Sequence, residues 1–157
     1  MRALDLANRR ALMWLCLAVF VVRVLGQVEV SLCAPPWLPP LPAWESGLIP
    51  YPVLLPVQIL LIAWMAVIAA DHWRGSGFFW VTKSSTRRNL RLFAALYAAA
   101  MALRLVITAI FPPHTLLERG LIPVLAHWDL AAFIWLASDS GFSEPETLPP
   151  AAVPLNP

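Results

Sequence analysis

Hydrophobic residues along this chain fall into four long runs, separated by stretches rich in proline or charge. The runs cover residues 11–27, 51–70, 92–111 and 120–137. Each approaches the length of about 20 apolar residues that a helix needs to cross the hydrocarbon core of a bilayer. Helices are favoured there because they satisfy their backbone hydrogen bonds internally. The pattern predicts an all-α membrane protein, a four-transmembrane-helix bundle.

These runs divide the chain into three parts. Residues 1–10 are predicted to form a cytoplasmic N-terminal segment, and residues 11–138 the transmembrane domain. Residues 139–157 are acidic and rich in proline and show no apolar periodicity. That composition predicts a disordered cytoplasmic tail.

The loop between the first two runs, residues 27–50, is also rich in proline, with five prolines between Pro35 and Pro42. Such a sequence favours extended polyproline geometry over a helix, and its tryptophans suit the interfacial zone of a membrane. We interpret it as an outer loop that lies as a stiff strap on the membrane surface. The alternative is a cap over an outward-facing pocket.

The composition supports a membrane protein, and the absence of several sequence motifs excludes some kinds of functional site. The 157 residues are 60% hydrophobic and only 13% charged, whereas a soluble domain has about 25% charged residues. The sequence has no glycine-rich phosphate loop, no CxxC pair and no HExxH motif. Its two cysteines, Cys16 and Cys33, fall at different predicted depths, so we expect no disulfide between them.

The distribution of lysine and arginine predicts the orientation of the chain. Eight basic residues lie in the N-terminal segment or between the second and third runs, whereas the first loop has none and the third has one. The positive-inside rule therefore places both termini and the middle loop in the cytoplasm, in a multi-pass protein of a plasma or inner membrane. The eight are Arg2, Arg9, Arg10, Arg74, Lys83, Arg87, Arg88 and Arg91.

The candidate site residues are five polar side chains within the apolar runs: Arg23, Gln58, Arg104, His127 and Asp129. Ionisable groups at membrane depth are costly and usually mark a functional site. Gln58, Arg104 and His127 each lie seven residues from the outer end of their run, which is about 10 Å along a helix. We therefore predict one polar layer in the outer leaflet as the candidate ligand-binding site, without a metal site.

The polar pair in the last run, His127 and Asp129, leads to one further prediction. His127 and Asp129 are two residues apart, about 200° around a helix, so they face different neighbours. Asp129 is expected to form an ion pair with Arg104 on the adjacent antiparallel helix, because an unpaired buried charge is strongly destabilising. His127 is then left without a structural partner, which makes it the better candidate for function.

Several functions fit this layer. The leading hypothesis is a non-catalytic accessory or binding subunit that holds a small ligand or lipid. An oxidoreductase or lipid-modifying enzyme that uses a quinone or a single-histidine haem at His127 is the first alternative. A small oligomeric transporter is the second, with Pro52 and Pro56 breaking the second helix near Gln58.

The sequence implies no cofactor firmly and leaves catalytic residues unassigned. The expected partners are the lipid bilayer, an anionic lipid or a quinone, and a homo-oligomer or a larger membrane complex. The middle loop mixes aromatic and basic residues, but beside a membrane such a loop meets lipid headgroups rather than nucleic acid.

Overall fold

The computed structural model describes residues 6–44, 50–80, 83–110 and 121–138. These residues form four α-helices: α1 (Leu6–Cys33), α2 (Tyr51–Arg74), α3 (Ser84–Ile110) and α4 (Leu121–Ala137). A short 3₁₀ helix, Leu41–Ala43, lies between α1 and α2, and no strand occurs within the described ranges. The all-α prediction is therefore confirmed.

Three helices are long and apolar enough to cross a membrane: α1 with 28 residues, α2 with 24 and α3 with 27. This is consistent with a multi-pass membrane protein. The fourth, α4, is apolar but has 17 residues. The first three helices extend beyond their apolar runs into polar sequence, and α2 is one continuous helix through Pro56. The predicted tail, 139–157, and residues 1–5 lie outside the described residues.

The central element is α4, which packs against α1, α2 and α3. The apolar core lies where α1, α2 and α4 meet, and α3 packs against α4 through its alanines, of which Ala94 is buried. No Cα atom of α2 comes within 8 Å of one in α3, so a gap separates these two helices. The buried core residues are Met13, Leu17, Phe20, Val24, Met65, Ala69, Phe133 and Leu136.

At the end of the molecule where α1 finishes and α2 begins, here called the first-loop end, the proline-rich segment folds back onto α1. Trp44 is buried and its indole Nε1–H donates to the Pro39 carbonyl at 2.9 Å. Its ring lies against Gly26, where an added Cβ would approach the ring to 2.7 Å. Trp44 also packs with Val30 in a small apolar cluster. Glycine at position 26 is what lets the loop lie against α1.

At the opposite end, here called the second-loop end, α2 stops at Gly75, whose φ of 66° suits glycine. Asp71 accepts a hydrogen bond from the Phe79 N–H at 3.1 Å, which holds the following loop close to α2. The buried His72 ring lies 3.2 Å from the Ala137 carbonyl, through Nε2. This contact joins α2 to the last turn of α4.

Candidate functional site

A polar cavity of about 190 Å³ lies among the four helices, toward the first-loop end. Its polar lining consists of Arg23 from α1, Gln58 from α2, Tyr97 from α3 and His127 from α4. The rest of the lining is apolar. Three of the five predicted site residues therefore line one cavity. Tyr97 joins them from α3, the helix that packs against α4 alone.

His127 faces α3 and pairs with Tyr97. The Tyr97 hydroxyl lies 2.6 Å from His127 Nδ1, and the two rings meet edge to face with centroids 5.6 Å apart. A neutral imidazole has one nitrogen that donates and one that accepts. In the tautomer that carries its proton on Nε2, Nδ1 accepts from the tyrosine hydroxyl and Nε2–H remains as a donor; in the other tautomer Nδ1–H donates to the hydroxyl oxygen and Nε2 remains as an acceptor.

Gln58 forms an amide pair with Gln27 of α1. Gln58 Nε2 donates to Gln27 Oε1 at 3.0 Å, and the two side chains are 3% and 0% exposed. Each amide keeps one buried atom, Gln58 Oε1 and Gln27 Nε2, without a hydrogen-bond partner among the described residues. Reversing both amides preserves the mutual bond and turns the Gln58 nitrogen outward from the pair, so Gln58 can present a donor or an acceptor to the cavity.

Arg23 connects the polar cavity to the first loop. Its guanidinium donates to the Trp44 carbonyl at 2.7 Å, and its Nε is buried without a hydrogen-bond partner among the described residues. Since arginine stays protonated in proteins, this position supplies a permanent positive charge. The first loop thus accepts a hydrogen bond from one terminal nitrogen of the guanidinium, and the Nε–H remains as a second donor.

Asp129 faces α1 and not α3. Its carboxylate lies beside the Cys16 thiol, and its Oδ2 has no hydrogen-bond partner among the described residues. It lines a neighbouring cleft between α1 and α4, which Arg23 also lines. The structure therefore does not support the predicted Asp129–Arg104 ion pair. The cause is the angle of about 200° between positions 127 and 129: because His127 faces α3, Asp129 faces away from it.

Arg104 lies nearer the first-loop end than the predicted layer requires. The contacts of Tyr97 with His127 and of the Trp128 indole with the Ala98 carbonyl, at 3.0 Å, fix the register of α3 against α4. Arg104 follows Tyr97 by seven residues, which is about 10 Å along α3. It therefore lies level with the start of α4, although its charge still acts on the His127 ring.

Two residues of the site were outside the predicted set. Tyr97 shares a helical face with Arg104, and Gln27 shares one with Arg23, so the spacing of about 3.6 residues per turn was a signal for both. The prediction selected residues by their depth from the ends of the apolar runs. It missed these two because the helix ends are not level with one another.

The donor set of the site does not resemble a metal centre. Within the ranges that the structure describes, no group of three or more His, Cys, Asp or Glu side chains is placed to hold a metal ion. Arg23, Gln58, Tyr97 and His127 are instead hydrogen-bonding groups that suit an oxygen-bearing ligand.

Comparison of the chain with protein-family models, with curated proteins and with solved structures found no match, and the function is therefore argued from the site itself.

Proposed function

We propose that the protein is a four-span integral membrane protein with both termini in the cytoplasm. The distribution of basic residues supports this orientation, since eight of the nine that lie outside the apolar runs are on one side. The position of α4 among the other three helices supports its inclusion as a fourth span. With that orientation, the polar cavity lies in the outer half of the membrane and the second-loop end faces the cytoplasm.

We further propose that the protein is a non-catalytic binding subunit that holds the polar group of a ligand in the polar cavity. One observation carries this proposal: Gln58 is 3% exposed, lines the cavity, and keeps an amide atom without a partner. Leaving a buried polar atom unpaired costs about 1–3 kcal/mol. A ligand in the cavity would remove that cost.

The neighbours of Gln58 support the same role. Arg23 and His127 line the same space, and the Tyr97 hydroxyl contacts the imidazole ring. The cavity is large enough for a polar group of a few heavy atoms, since a cavity of about 150 Å³ holds benzene. Hydrogen bonds at these positions account for binding and orientation without a chemical step.

The proposal is tested by native mass spectrometry of the full chain purified in mild detergent. The wild type is expected to retain one small molecule, and Arg23→Gln and His127→Leu are expected to lose it. Ile107→Ala, on an exposed part of α3, is the matched control and should retain it. The same bound species in all four proteins, or none in the wild type, would contradict the proposal.

A further inference from the structure

An apolar groove lies beside the polar cavity, on the side of the second-loop end. It has a volume of about 390 Å³ and is bounded by α2, α3 and α4. Apart from His72 and the indole N–H of Trp64, its described lining is hydrocarbon and aromatic ring. Along α2 the groove runs from Leu61 to His72, eleven residues, which is about 16 Å.

The apolar groove adjoins the polar cavity. Leu61 and Leu130 line both spaces. Phe93 of the groove stacks on Tyr97 of the cavity, with ring centroids 5.7 Å apart. A linear molecule that lies in the groove can therefore reach the polar groups of the cavity with one end.

The groove opens where α2 and α3 separate. These helices do not approach within 8 Å at their Cα atoms. Trp64 on the α2 side and Phe93 on the α3 side are 56% and 55% exposed. In a membrane this opening faces hydrocarbon, so a ligand can enter the polar cavity from the lipid phase without crossing water.

The charges around the polar cavity select the headgroup. Arg23 lines it, and none of its described lining residues is acidic. Asp129 lies outside this cavity, beside the Cys16 thiol and in a neighbouring cleft that Arg23 also lines. A positively charged site shielded from water favours an anionic ligand, because Coulomb attraction is stronger there than in water.

We propose that the protein binds a single-chain anionic amphiphile, with its carboxylate or phosphate head in the polar cavity and its hydrocarbon chain in the apolar groove. This inference rests on the proposed function, because it takes the same cavity as the binding site and adds the class of ligand. The head accepts hydrogen bonds from Arg23, from His127 Nε2–H and from the Gln58 amide in its reversed orientation. The chain covers the apolar lining.

The headgroup is tested with radiolabelled palmitate and its uncharged counterpart, cetyl alcohol, on the full chain in detergent micelles. Palmitate is expected to bind about tenfold or more tightly than the alcohol, which is about the effect of one charge-assisted hydrogen bond. Arg23→Gln should abolish this preference, and Arg23→Lys should keep much of it. Palmitoyl lysophosphatidate in the same assay distinguishes a phosphate head from a carboxylate.

The groove is tested separately by filling it. Ile134→Trp places a large ring in the groove outside the polar cavity, and should weaken palmitate binding about tenfold while leaving that of the short-chain octanoate unchanged. Ile107→Trp, which does not line the groove, is the matched control. Leu90→Trp fills the groove from α3 and replaces Ile134→Trp if that variant does not fold by circular dichroism.

The outcomes separate the two proposals. Palmitate binding that falls in Arg23→Gln but not in either groove variant overturns the groove assignment and leaves the polar cavity as a binding site. Binding unaffected by every variant overturns both. Equal affinity for cetyl alcohol overturns the anionic headgroup. A groove variant that changes the oligomeric state but not palmitate affinity assigns the groove to a second copy of the chain and overturns this inference.

Discussion

The Tyr97 hydroxyl and the His127 Nδ1 nitrogen lie 2.6 Å apart and link the peripheral helix α3 to the central helix α4. Tyr97→Phe removes this bond and leaves the imidazole nitrogen unpaired. Interhelical hydrogen bonds in membrane proteins contribute about 0.6 kcal/mol on average and about 1.7 at most. We expect a loss near the upper value in the free energy of unfolding, measured in mixed micelles.

Tyr51→Phe is the matched control for that change. Its hydroxyl accepts from Ser31 at a longer distance, 3.2 Å, at the first-loop end. The loss there should be well below that of Tyr97→Phe. Equal losses in the two variants would mean that the Tyr97–His127 hydrogen bond contributes no more to the free energy of unfolding than the Tyr51–Ser31 bond.

The Gln27–Gln58 pair is expected to show strong coupling. Either single change to leucine leaves one buried amide without its partner, at about 1–3 kcal/mol. The double change removes both amides and should cost clearly less than the sum of the singles in a double-mutant cycle. As a control, Gln27→Leu and Tyr97→Phe do not share a contact and should add within about 0.5 kcal/mol.

The contact of Gly26 with Trp44 predicts a conditional substitution. Gly26→Ala places a methyl group against the indole ring, and overpacking of this kind costs about 1–3 kcal/mol. In a Trp44→Leu background the same change should become neutral or stabilising, since alanine exceeds glycine in helix propensity by about 1 kcal/mol. Thermal unfolding of the four proteins measures this. A cost that persists without the indole ring would contradict the contact.

The orientation of Asp129 predicts which residue it couples to. Asp129→Leu and Cys16→Ala should be non-additive in unfolding free energy, because the thiol and the carboxylate are neighbours. Asp129→Leu and Arg104→Leu should instead add within about 0.5 kcal/mol. Strong coupling of the second pair and none of the first would restore the ion pair expected from the sequence.

The apolar runs predicted the four helices because a continuous hydrophobic stretch determines where a membrane helix lies, with errors confined to its ends. Of the predicted site residues, Arg23, Gln58 and His127 line one cavity. Arg104 and Asp129 do not, for two physical reasons. The position of α3 along α4 is set by contacts such as that of Trp128 with Ala98, and the ends of the helices are not level. The direction in which Asp129 points follows from that of His127, because the two positions are about 200° apart around α4.

The central position of α4 has a consequence for how the chain assembles in a membrane. Among the described helices, α3 packs against α4 alone, while α1 and α2 also contact each other. During synthesis, α1 and α2 can pair early, but α3 has no neighbour until α4 is made. Arg104, in the apolar part of α3, then meets lipid in the interval, at about 2.5–3.5 kcal/mol. Insertion of α3 and α4 as one hairpin would avoid that exposed intermediate.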